Sequence, residues 1–413
     1  MNAKERIKAS ILFRSVDKIP VMYRALNFTS FSLMKHFNIG NPDDPDLLLK
    51  KYKELISALK IDTWSSGCNI GKFSTFVPGY KGPELDFVDN NYYSAIGIPT
   101  KPKTIAEYDY TFTEIISNPL ARAQSPGEVK GFLTKKLDFF DFDNLINNVL
   151  NLRASGILGG GPKKTAEENL TDRNEDLQSS EEKLAGSLSM DTLASEGEAF
   201  ICMGNVLSNP YMLCSYLRGM DTFLLDLAGN KVMAEAVIGE VKDFVVEFNR
   251  RYIKSATGRC EYFGCWDDVA MQNGMMFPPG DFIKYFLPIW KELISMVKSA
   301  GMFFSWHCCG NVNEVLPLMI DAGIDVFDVV QTSARDMEIG RFYSRFSKSV
   351  CIHGGIDVQK LLVSGTHSQI REEVKKIKGL WEKNGGIILG PSHEIVPETP
   401  VENLIVLYDE LAK

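Results

Sequence analysis

The sequence lacks the features that mark membrane, secreted and nucleic-acid-binding proteins. No apolar run approaches the roughly 18 residues that a membrane helix requires. The first residues, Met-Asn-Ala-Lys-Glu-Arg, are charged and contain no apolar signal core. Basic clusters are also missing, and the net charge is -8. We therefore expect neither nucleic acid nor a membrane as partner, and we expect a soluble protein of the cytoplasm.

Cysteine and histidine are both scarce. Eight Cys in 413 residues, without a secretory signal, indicate free thiols or metal ligands rather than a disulfide framework. Only five His are present, and His307, His353 and His393 all fall where we predict a strand to end. Three His at strand ends favour a functional site over isolated core residues.

What the sequence does contain is an alternation of apolar strands and amphipathic helices. We predict strands at 17–24, 61–67, 199–204, 259–268, 302–307, 324–330, 349–355 and 386–390. We predict helices at 3–15, 44–59, 136–153, 209–228, 230–256, 279–299, 312–322, 366–383 and 399–412. Such alternation implies a parallel sheet with right-handed crossovers. About eight strands favour a closed barrel, so we predict a single α/β domain over 1–413, a (β/α)8 TIM barrel with an N-terminal extension.

Two regions depart from this alternation. Residues 70–130 are rich in Gly, Pro and aromatic residues and predict extended turns and hairpins across one face of the barrel. Residues 162–198 are polar, rich in Ser and Glu, and poor in aromatic residues. They predict a surface insertion, partly helical or mobile, outside the core. The glycine run at 159–161 lacks the ending of a phosphate-binding loop, and we give that interpretation little weight.

The stretch 302–311 carries the strongest chemical signal. An apolar strand runs directly into His307, Cys308 and Cys309, followed by a Gly-Asn turn. On extended backbone His307 and Cys309 point to the same side, and a nitrogen–sulfur pair is typical of a zinc site. The alternative is that these thiols are ordinary core residues.

A catalytic zinc site needs a third protein ligand and an open fourth position. His393, after the last predicted strand, is the natural candidate, because the first and last strands of a closed barrel are neighbours. Cys351 and His353 are alternatives, since they also lie two apart on a strand. Asp267 and Asp268 end another strand, where they predict either a general acid or a substrate-binding pair, or else a helix cap in a solvated loop.

The run W-H-C-C-G-N-V beginning at Trp306 resembles the uroporphyrinogen decarboxylase superfamily. The motif G-G-I-D at 354–357 and the closing G-G-I-I-L-G-P-S-H-E at 385–394 carry the same resemblance. It implies a (β/α)8 barrel. Tyr216 and His393 match motifs of the true decarboxylases, but that branch also implies an Arg cluster after the first strand. Only Arg24 of such a cluster is present here, and Ser65 and Ser66 stand where that branch has an Asp.

The other branch of this superfamily consists of zinc-dependent, corrinoid-linked methyltransferases. The resemblance implies His307 and Cys309 as zinc ligands, with His393 in the place of a third ligand that is commonly Cys. It further implies a corrinoid-binding partner protein and a small methylated substrate. Within this interpretation Glu394, Asp267 or Asp268 supplies a proton to the departing group.

Two functional hypotheses follow. The first is a methyltransferase that moves a methyl group between an O- or N-methyl substrate, or a thiol acceptor, and the cobalt of a corrinoid protein. The second is a lyase that decarboxylates a tetrapyrrole or another polycarboxylate without a metal. A scaffold that has lost its chemistry is a third, weaker interpretation, because the ligand set is intact.

Overall fold

The computed structural model describes residues 1–25, 27–40, 48–64, 75–85, 92–108, 110–147, 202–203, 207–258 and 260–413. The strands are β1 Met22–Tyr23, β2 Thr63–Trp64, β3 Thr75–Tyr80, β4 Thr100–Ile105, β5 Tyr110–Ile115, β6 Phe140–Asn147, β7 Cys202–Met203, β8 Tyr262–Trp266, β9 Ala270–Met271, β10 Gly274–Met275, β11 Phe303–His307, β12 Val326–Val330, β13 Cys351–Ile356 and β14 Ile387–Pro391. The predicted insertion at 162–198 lies outside the described residues.

The α-helices are α1 Ala3–Ile11, α2 Asn27–His36, α3 Leu48–Ala58, α4 Pro126–Val129, α5 Pro210–Arg218, α6 Met220–Gly229, α7 Lys231–Ala256, α8 Pro279–Asp281, α9 Leu287–Ser299, α10 Leu316–Ala322, α11 Ile339–Phe346, α12 Leu361–Ser364, α13 His367–Asn384 and α14 Val401–Ala412. A π-helical turn, Phe282–Phe286, joins α8 to α9. In the described ranges no helix is both long and apolar enough to cross a membrane.

A mainly parallel sheet organises the chain, as the alternation of elements predicts. Its strand order is β14-β13-β12-β11-β8-β7-β3-β6. In this sheet all neighbouring strands are parallel except β6, which pairs antiparallel with β3. Because parallel strands end on the same side of a sheet, the residues that follow β8, β11, β12, β13 and β14 gather along one edge.

The first strand lies beside the last one. The amide of Leu389 donates to the carbonyl of Pro20 (2.8 Å), and the amide of Ile395 donates to that of Arg24 (3.1 Å). Bridges join the same segments, and β1 pairs in parallel with β2. The order of neighbouring strands therefore continues from β2 through β1 and β14 to β3, with the antiparallel strand β6 at the far edge. The segment between β2 and β3 lies outside the described residues.

The sheet packs a different core on each face. The larger core joins the sheet to the surrounding helices. The smaller core lies on the face that we call the inner face, and its buried members are Ile7, Ile11, Met22, Tyr262, Val326, Cys351 and Ile388. Ile7 and Ile11 belong to α1. They are four residues apart, so both lie on the same side of that helix. The N-terminal helix therefore covers one end of the inner face.

Two predicted elements differ in the structure. The helix predicted at 136–153 is wrong, because Thr134–Phe139 forms a short 3-10 helix and Phe140–Asn147 forms strand β6. Alternating aromatic and acidic residues in Phe-Asp-Phe-Asp suit a half-buried strand better than a helix. The helix predicted at 209–228 is two helices that meet at Gly219, whose φ of 88° breaks the helical path.

Candidate metal centre

Three neighbouring strands present polar side chains at one level of the inner face. His307 in β11 lies opposite Asp328 in β12, and Asp328 lies opposite His353 in β13. Adjacent parallel strands in register turn opposite residues to the same side of the sheet. The exposed fractions of these three residues are 3%, 0% and 0%, so they form a polar layer inside the protein.

Asp328 is the centre of this layer. Its two carboxylate oxygens each contact one imidazole, with 2.7 Å to Nδ1 of His307 and 2.7 Å to Nδ1 of His353. The guanidinium of Arg24, which follows β1, contacts both oxygens at 3.2 Å. Burial raises the pKa of Asp328, but the charges of Arg24 and the two imidazoles outweigh it and hold that pKa well below its usual range.

His307, Cys309 and His393 form a compact cluster above this layer. One possible ligand atom of each residue lies within 4.8 Å of those of the other two. The Nε2 atom of His307 is 3.4 Å from the Sγ atom of Cys309. The rings of His307 and His393 have centroids 5.9 Å apart and are tilted by 66°. The structure thus brings together the three residues that the sequence nominates as metal ligands.

The position of His393 is fixed by the contacts of its segment with β13 on one side and with the residues after β1 on the other. The amide of Ser392 donates to the carbonyl of Ile356 (2.7 Å), and Ile395 is tied to Arg24 on the other side. Burial lowers the pKa of His393 to about 3, and the positive charge of Arg24 adds to that effect. The imidazole is therefore neutral at pH 7 and has a free nitrogen lone pair for a metal.

The donor set fits zinc. Zinc takes nitrogen at about 2.05 Å and sulfur at about 2.3 Å, so tetrahedral geometry places the two ligand atoms about 3.6 Å apart. The 3.4 Å between His307 and Cys309 is close to this separation. Among the described residues, no fourth His, Cys, Asp or Glu belongs to the cluster. Three protein ligands with one open position are the arrangement of catalytic zinc sites.

The loop that carries Cys309 is fixed by its backbone. The amide of Cys309 donates to Oδ1 of Asp268 (2.8 Å), and the amide of Gly310 donates to Oε1 of Gln331 (2.7 Å). Gly310 has a φ of 87°, and a Cβ there would lie 2.6 Å from the carbonyl oxygen of Met271. Neighbouring strand ends thus hold the thiol, which is half-buried, next to His307.

The alternative thiols lie away from the cluster. The Sγ atom of Cys308 is fully buried, accepts from the amide of Val269 (3.4 Å), and donates to the carbonyl of Cys309 (3.4 Å). Cys351 belongs to the apolar inner core. Burial raises the pKa of both thiols, and a protonated thiol is a poor metal ligand. His353 binds Asp328 and does not belong to the cluster.

Asp267 caps a helix from another part of the chain. Its oxygens accept from the amides of Tyr211 (2.9 Å) and Met212 (2.8 Å), which are in the first turn of α5. The residue has no exposed surface, and burial raises its pKa to about 8 against the two amide hydrogen bonds that lower it. Both oxygens are therefore occupied by helix donors, as in the helix-cap alternative.

Tyr216 and Glu394 lie at the edges of the site. The ring of Tyr216 packs on Tyr93, with centroids 5.0 Å apart, and burial together with the charges of Asp268 and Asp267 raises its pKa. Glu394 follows His393 directly and is half-buried. Within the described part of the chain its carboxylate makes no hydrogen bond or ion pair. Asp268, which is also half-buried, directs one oxygen to Cys309.

Sequence reasoning missed Asp328 as a functional residue. A single carboxylate inside the apolar run Val-Phe-Asp-Val-Val at 326–330 was the available signal, because a buried charge requires partners. The partners could not be read from the sequence. Arg24 and His353 are far from Asp328 along the chain and meet it only through the register of the sheet.

Comparison with known proteins gives consistent results. Residues 171–413 match the sequence profile of the family described as uroporphyrinogen decarboxylase (URO-D). All three residues of the metal cluster lie within the match, which begins inside the polar segment 162–198.

Two curated relatives are both named methylcobamide:CoM methyltransferase MtbA. The relative from Methanosarcina acetivorans is 25% identical over 210 residues, which are 50% of this chain and 57% of the relative. The relative from Methanosarcina mazei is 25% identical over 211 residues, with the same shares. This chain thus spans little more than half the length of the curated relatives that it matches.

A solved structure shares the fold. It is described as a methyltransferase from Methanosarcina mazei, and the comparison covers 100% of this chain and 98% of that one. The TM-score is 0.57 at 16% sequence identity, so the likeness concerns the fold alone.

Proposed function

Because the chain belongs to the uroporphyrinogen decarboxylase family, we propose that it is a zinc-dependent, corrinoid-linked methyltransferase. It moves a methyl group between a small methylated substrate or thiol acceptor and the cobalt of a corrinoid carried by a partner protein. The cluster of His307, Cys309 and His393 is the observation that carries this proposal. The names of the two curated relatives support it independently.

The metal and the protein have separate tasks. His307, Cys309 and His393 would hold the zinc ion, which would supply Lewis-acid chemistry for the heteroatom that loses or gains the methyl group. Asp268 fixes the backbone of Cys309 through one oxygen, and its other oxygen, which has no hydrogen bond among the described residues, is available to handle a proton. Glu394, adjacent to His393 and half-buried, is the second candidate for that task. Asp267 has a structural task, because helix amides occupy both of its oxygens.

Tyr216 is suited to orienting a substrate. Its ring packs against Tyr93, whose hydroxyl accepts from the side-chain amide of Asn209 (2.9 Å). Its pKa is raised, so the hydroxyl stays protonated at neutral pH and can donate a hydrogen bond. It lies close enough to Asp268 for that charge to affect it, and it therefore belongs to the same side of the site.

The ligand set favours an O- or N-bound methyl group. A third ligand that is imidazole rather than thiolate leaves the metal with one more unit of positive charge. A more positive zinc stabilises a departing oxygen or nitrogen better than it maintains a nucleophilic thiolate. We therefore propose a methyl ether, methanol or a methylamine as substrate class, with a thiol acceptor as the alternative.

The decarboxylase alternative requires a basic pocket. At the described strand ends the positive charge of Arg24 is buried and taken up by Asp328. Asp268 and Glu394, which lie half-buried at the same strand ends, are acidic. A polycarboxylate substrate would meet repulsion at such a site, and this charge distribution favours the methyltransferase.

The proposed architecture goes with this function. We propose that residues 1–413 form one domain, a closed (β/α)8 barrel. In this proposal 162–198 is a surface insertion, the protein acts in the cytoplasm, and the corrinoid partner docks at the strand ends that carry the cluster.

Metal analysis combined with an activity assay tests the proposal. We expect about one zinc per chain, and we expect His307→Ala and Cys309→Ala to lose both the zinc and the methyl transfer. Transfer is followed by the absorbance of cobalamin with a panel of methyl ethers, methylamines and thiols. Cys308→Ala is the matched control, because its thiol lies outside the cluster, and it should retain zinc. A metal-free protein that decarboxylates uroporphyrinogen would refute the proposal.

A further inference from the structure

Asp328 is held by an unusual number of partners for a buried carboxylate. Arg24 contacts both of its oxygens, and His307 and His353 contact one oxygen each, all through nitrogen atoms. None of the four residues is more than 3% exposed. Water therefore does not compete for these contacts, and their geometry is set by the protein alone.

The two imidazoles contact Asp328 through the same atom. A carboxylate only accepts hydrogen bonds, so Nδ1 of His307 and Nδ1 of His353 must each carry the hydrogen. In a neutral imidazole the other nitrogen, Nε2, then has the free lone pair. For His307 this nitrogen is the atom 3.4 Å from the sulfur of Cys309. The contact to Asp328 thus determines which nitrogen of His307 faces the cluster.

We propose that Asp328 is a positioning residue for the metal centre, which fixes the tautomer and the ring orientation of His307. Arg24 and His353 hold the carboxylate in turn, so that one of its oxygens always faces His307. This inference rests on the proposed zinc function. It assigns a role to three residues that do not themselves bind the metal.

His353 has a supporting part in this arrangement. Its Nδ1 atom donates to Asp328, while its Nε2 atom is buried and has no hydrogen-bond partner among the described residues. It lies outside the ligand cluster. Among the described residues, its one side-chain hydrogen bond is therefore the one to the second oxygen of Asp328. Without it, that oxygen keeps only the longer contact with Arg24, and the carboxylate is held less firmly.

Asp328→Asn is the direct test, because the amide has one acceptor where the carboxylate has two. An asparagine that accepts from one imidazole must turn its amino group towards the other, or lose that contact. We expect the zinc affinity to fall by about 10- to 100-fold, the usual effect of losing a residue that orients a metal ligand. Competition with a chromophoric zinc chelator measures the affinity. The visible spectrum of the cobalt(II)-substituted protein reports the ligand geometry and should change with it.

His353 gives a second, milder pair of variants. His353→Asn keeps an N–H donor near the position of Nδ1, whereas His353→Leu removes the donor and fills a similar volume. We expect H353N to bind zinc almost as the wild type does, and H353L to bind it several-fold more weakly. If D328N does not fold, this pair decides the question, and equal affinities of H353N and H353L overturn the inference.

Asp226→Asn is the matched control. Asp226 is also a buried carboxylate paired with an arginine, Arg218 (2.7 Å), but it lies on α6 and outside the cluster. The D226N variant should be less stable than the wild type but should bind zinc with the same affinity. A D328N protein that binds zinc as the wild type does, with an unchanged cobalt spectrum, overturns the positioning role alone. A wild-type protein that binds no zinc refutes the proposed function instead.

Discussion

At the scale of single residues, Gly310 shows how closely the metal loop is packed. Its positive φ and its approach to the backbone of Met271 exclude any side chain. The amide of the next residue, Asn311, donates to the same carbonyl of Met271 (2.9 Å). A small displacement of this loop would move Cys309 away from His307, because Cys309 precedes the glycine directly.

Gly310→Ala should therefore destabilise the protein and weaken zinc binding. Gly258→Ala is a suitable control, because Gly258 also has a positive φ (79°), but a methyl group added there would meet nothing within 4 Å. The control measures the cost of the backbone conformation, about 1 kcal/mol of unfolding free energy. We expect G310A to cost at least about 1 kcal/mol more, since a core clash adds to it. Chemical denaturation measures both, and equal losses would contradict the steric argument.

In the proposed metal site, His393 takes the place of the third ligand for which the resemblance implies a Cys. His393→Cys restores a thiolate and lowers the positive charge of the bound metal. We expect the variant to retain zinc and to favour thiol methylation over demethylation of ethers or amines. The measurement is the ratio of the two initial rates with cobalamin as the methyl carrier. A ratio identical to that of the wild type would show that the third ligand does not select the substrate.

At the scale of elements, Asp267 links strand β8 to helix α5. The first-turn amides of a helix have no partner within the helix, and this carboxylate accepts from two of them. The link places Tyr216, in the same helix, on the side of Asp268. The hydrogen bonds of Asp267 therefore connect strand β8 to helix α5, which carries Tyr216.

Asp267→Asn should unfold more easily and yet still bind zinc. The amide offers only one acceptor for the two helix donors, and a buried unsatisfied donor costs about 1–3 kcal/mol. Thermal and denaturant unfolding with zinc analysis separate the two effects. Loss of zinc at unchanged stability would show that Asp267 acts on the metal centre directly.

The ion pairs of the N-terminal helix α1 should make the stability of the protein depend on pH in the acid range. Arg6 in this helix pairs with Asp17 (2.7 Å) and with the buried Asp62, which also accepts from the amide of Val21 (3.0 Å). The hydrogen bond from Arg6 holds the pKa of Asp17 well below its usual range. A carboxylate with a lowered pKa contributes stability above its unfolded value of about 3.9, and that contribution is lost as the pH falls below it.

Asp17→Asn removes this contribution at every pH. We expect the wild type to exceed D17N in denaturant midpoint at pH 6, and we expect the difference to shrink as the pH falls from about 4 towards 2. Because Asp17 is 44% exposed, solvent screening keeps the effect small. A difference that stays constant down to pH 2 would contradict the assignment.

The element pattern was predictable where strands were continuously apolar. The strands at 259–268, 302–307, 324–330 and 349–355 are confirmed within a few residues as β8, β11, β12 and β13. The strand at 140–147 was not predicted, because its aromatic residues alternate with Asp over only a few positions, and so short a pattern does not identify a strand. Helices α2 and α11 were not predicted either. Ser and Thr in α2, and Gly340 and Ser344 in α11, weaken the helical signal because their helix propensity is low.

At the scale of the whole molecule, zinc should stabilise a protein that already folds without it. The two apolar cores do not depend on the metal, so the zinc-free chain should unfold cooperatively. Zinc at a free concentration of 100 times its dissociation constant should add about 2.7 kcal/mol. Thermal unfolding across a zinc titration measures this increase. His307→Ala should show no increase, and an equal increase in that variant would place zinc elsewhere.

The site was partly predictable at this scale, and the reason is topological. A closed barrel implies that its first and last strands meet, and this argument selected His393 as the partner of His307 and Cys309. The contacts of Asp328 with Arg24, His307 and His353 were not predictable in the same way. It depends on the lateral register of β11, β12 and β13, which the order of residues along the chain does not specify.

The contact between the two ends of the chain has a consequence for biosynthesis. Arg24 emerges early from the ribosome, whereas Asp328 and His393 follow only after most of the polypeptide has been made. In the proposed metal site, a nascent chain made only as far as residue 309 would hold the His307–Cys309 pair alone, a weaker chelator than the complete cluster. Tight metal binding would therefore require that synthesis has passed residue 393.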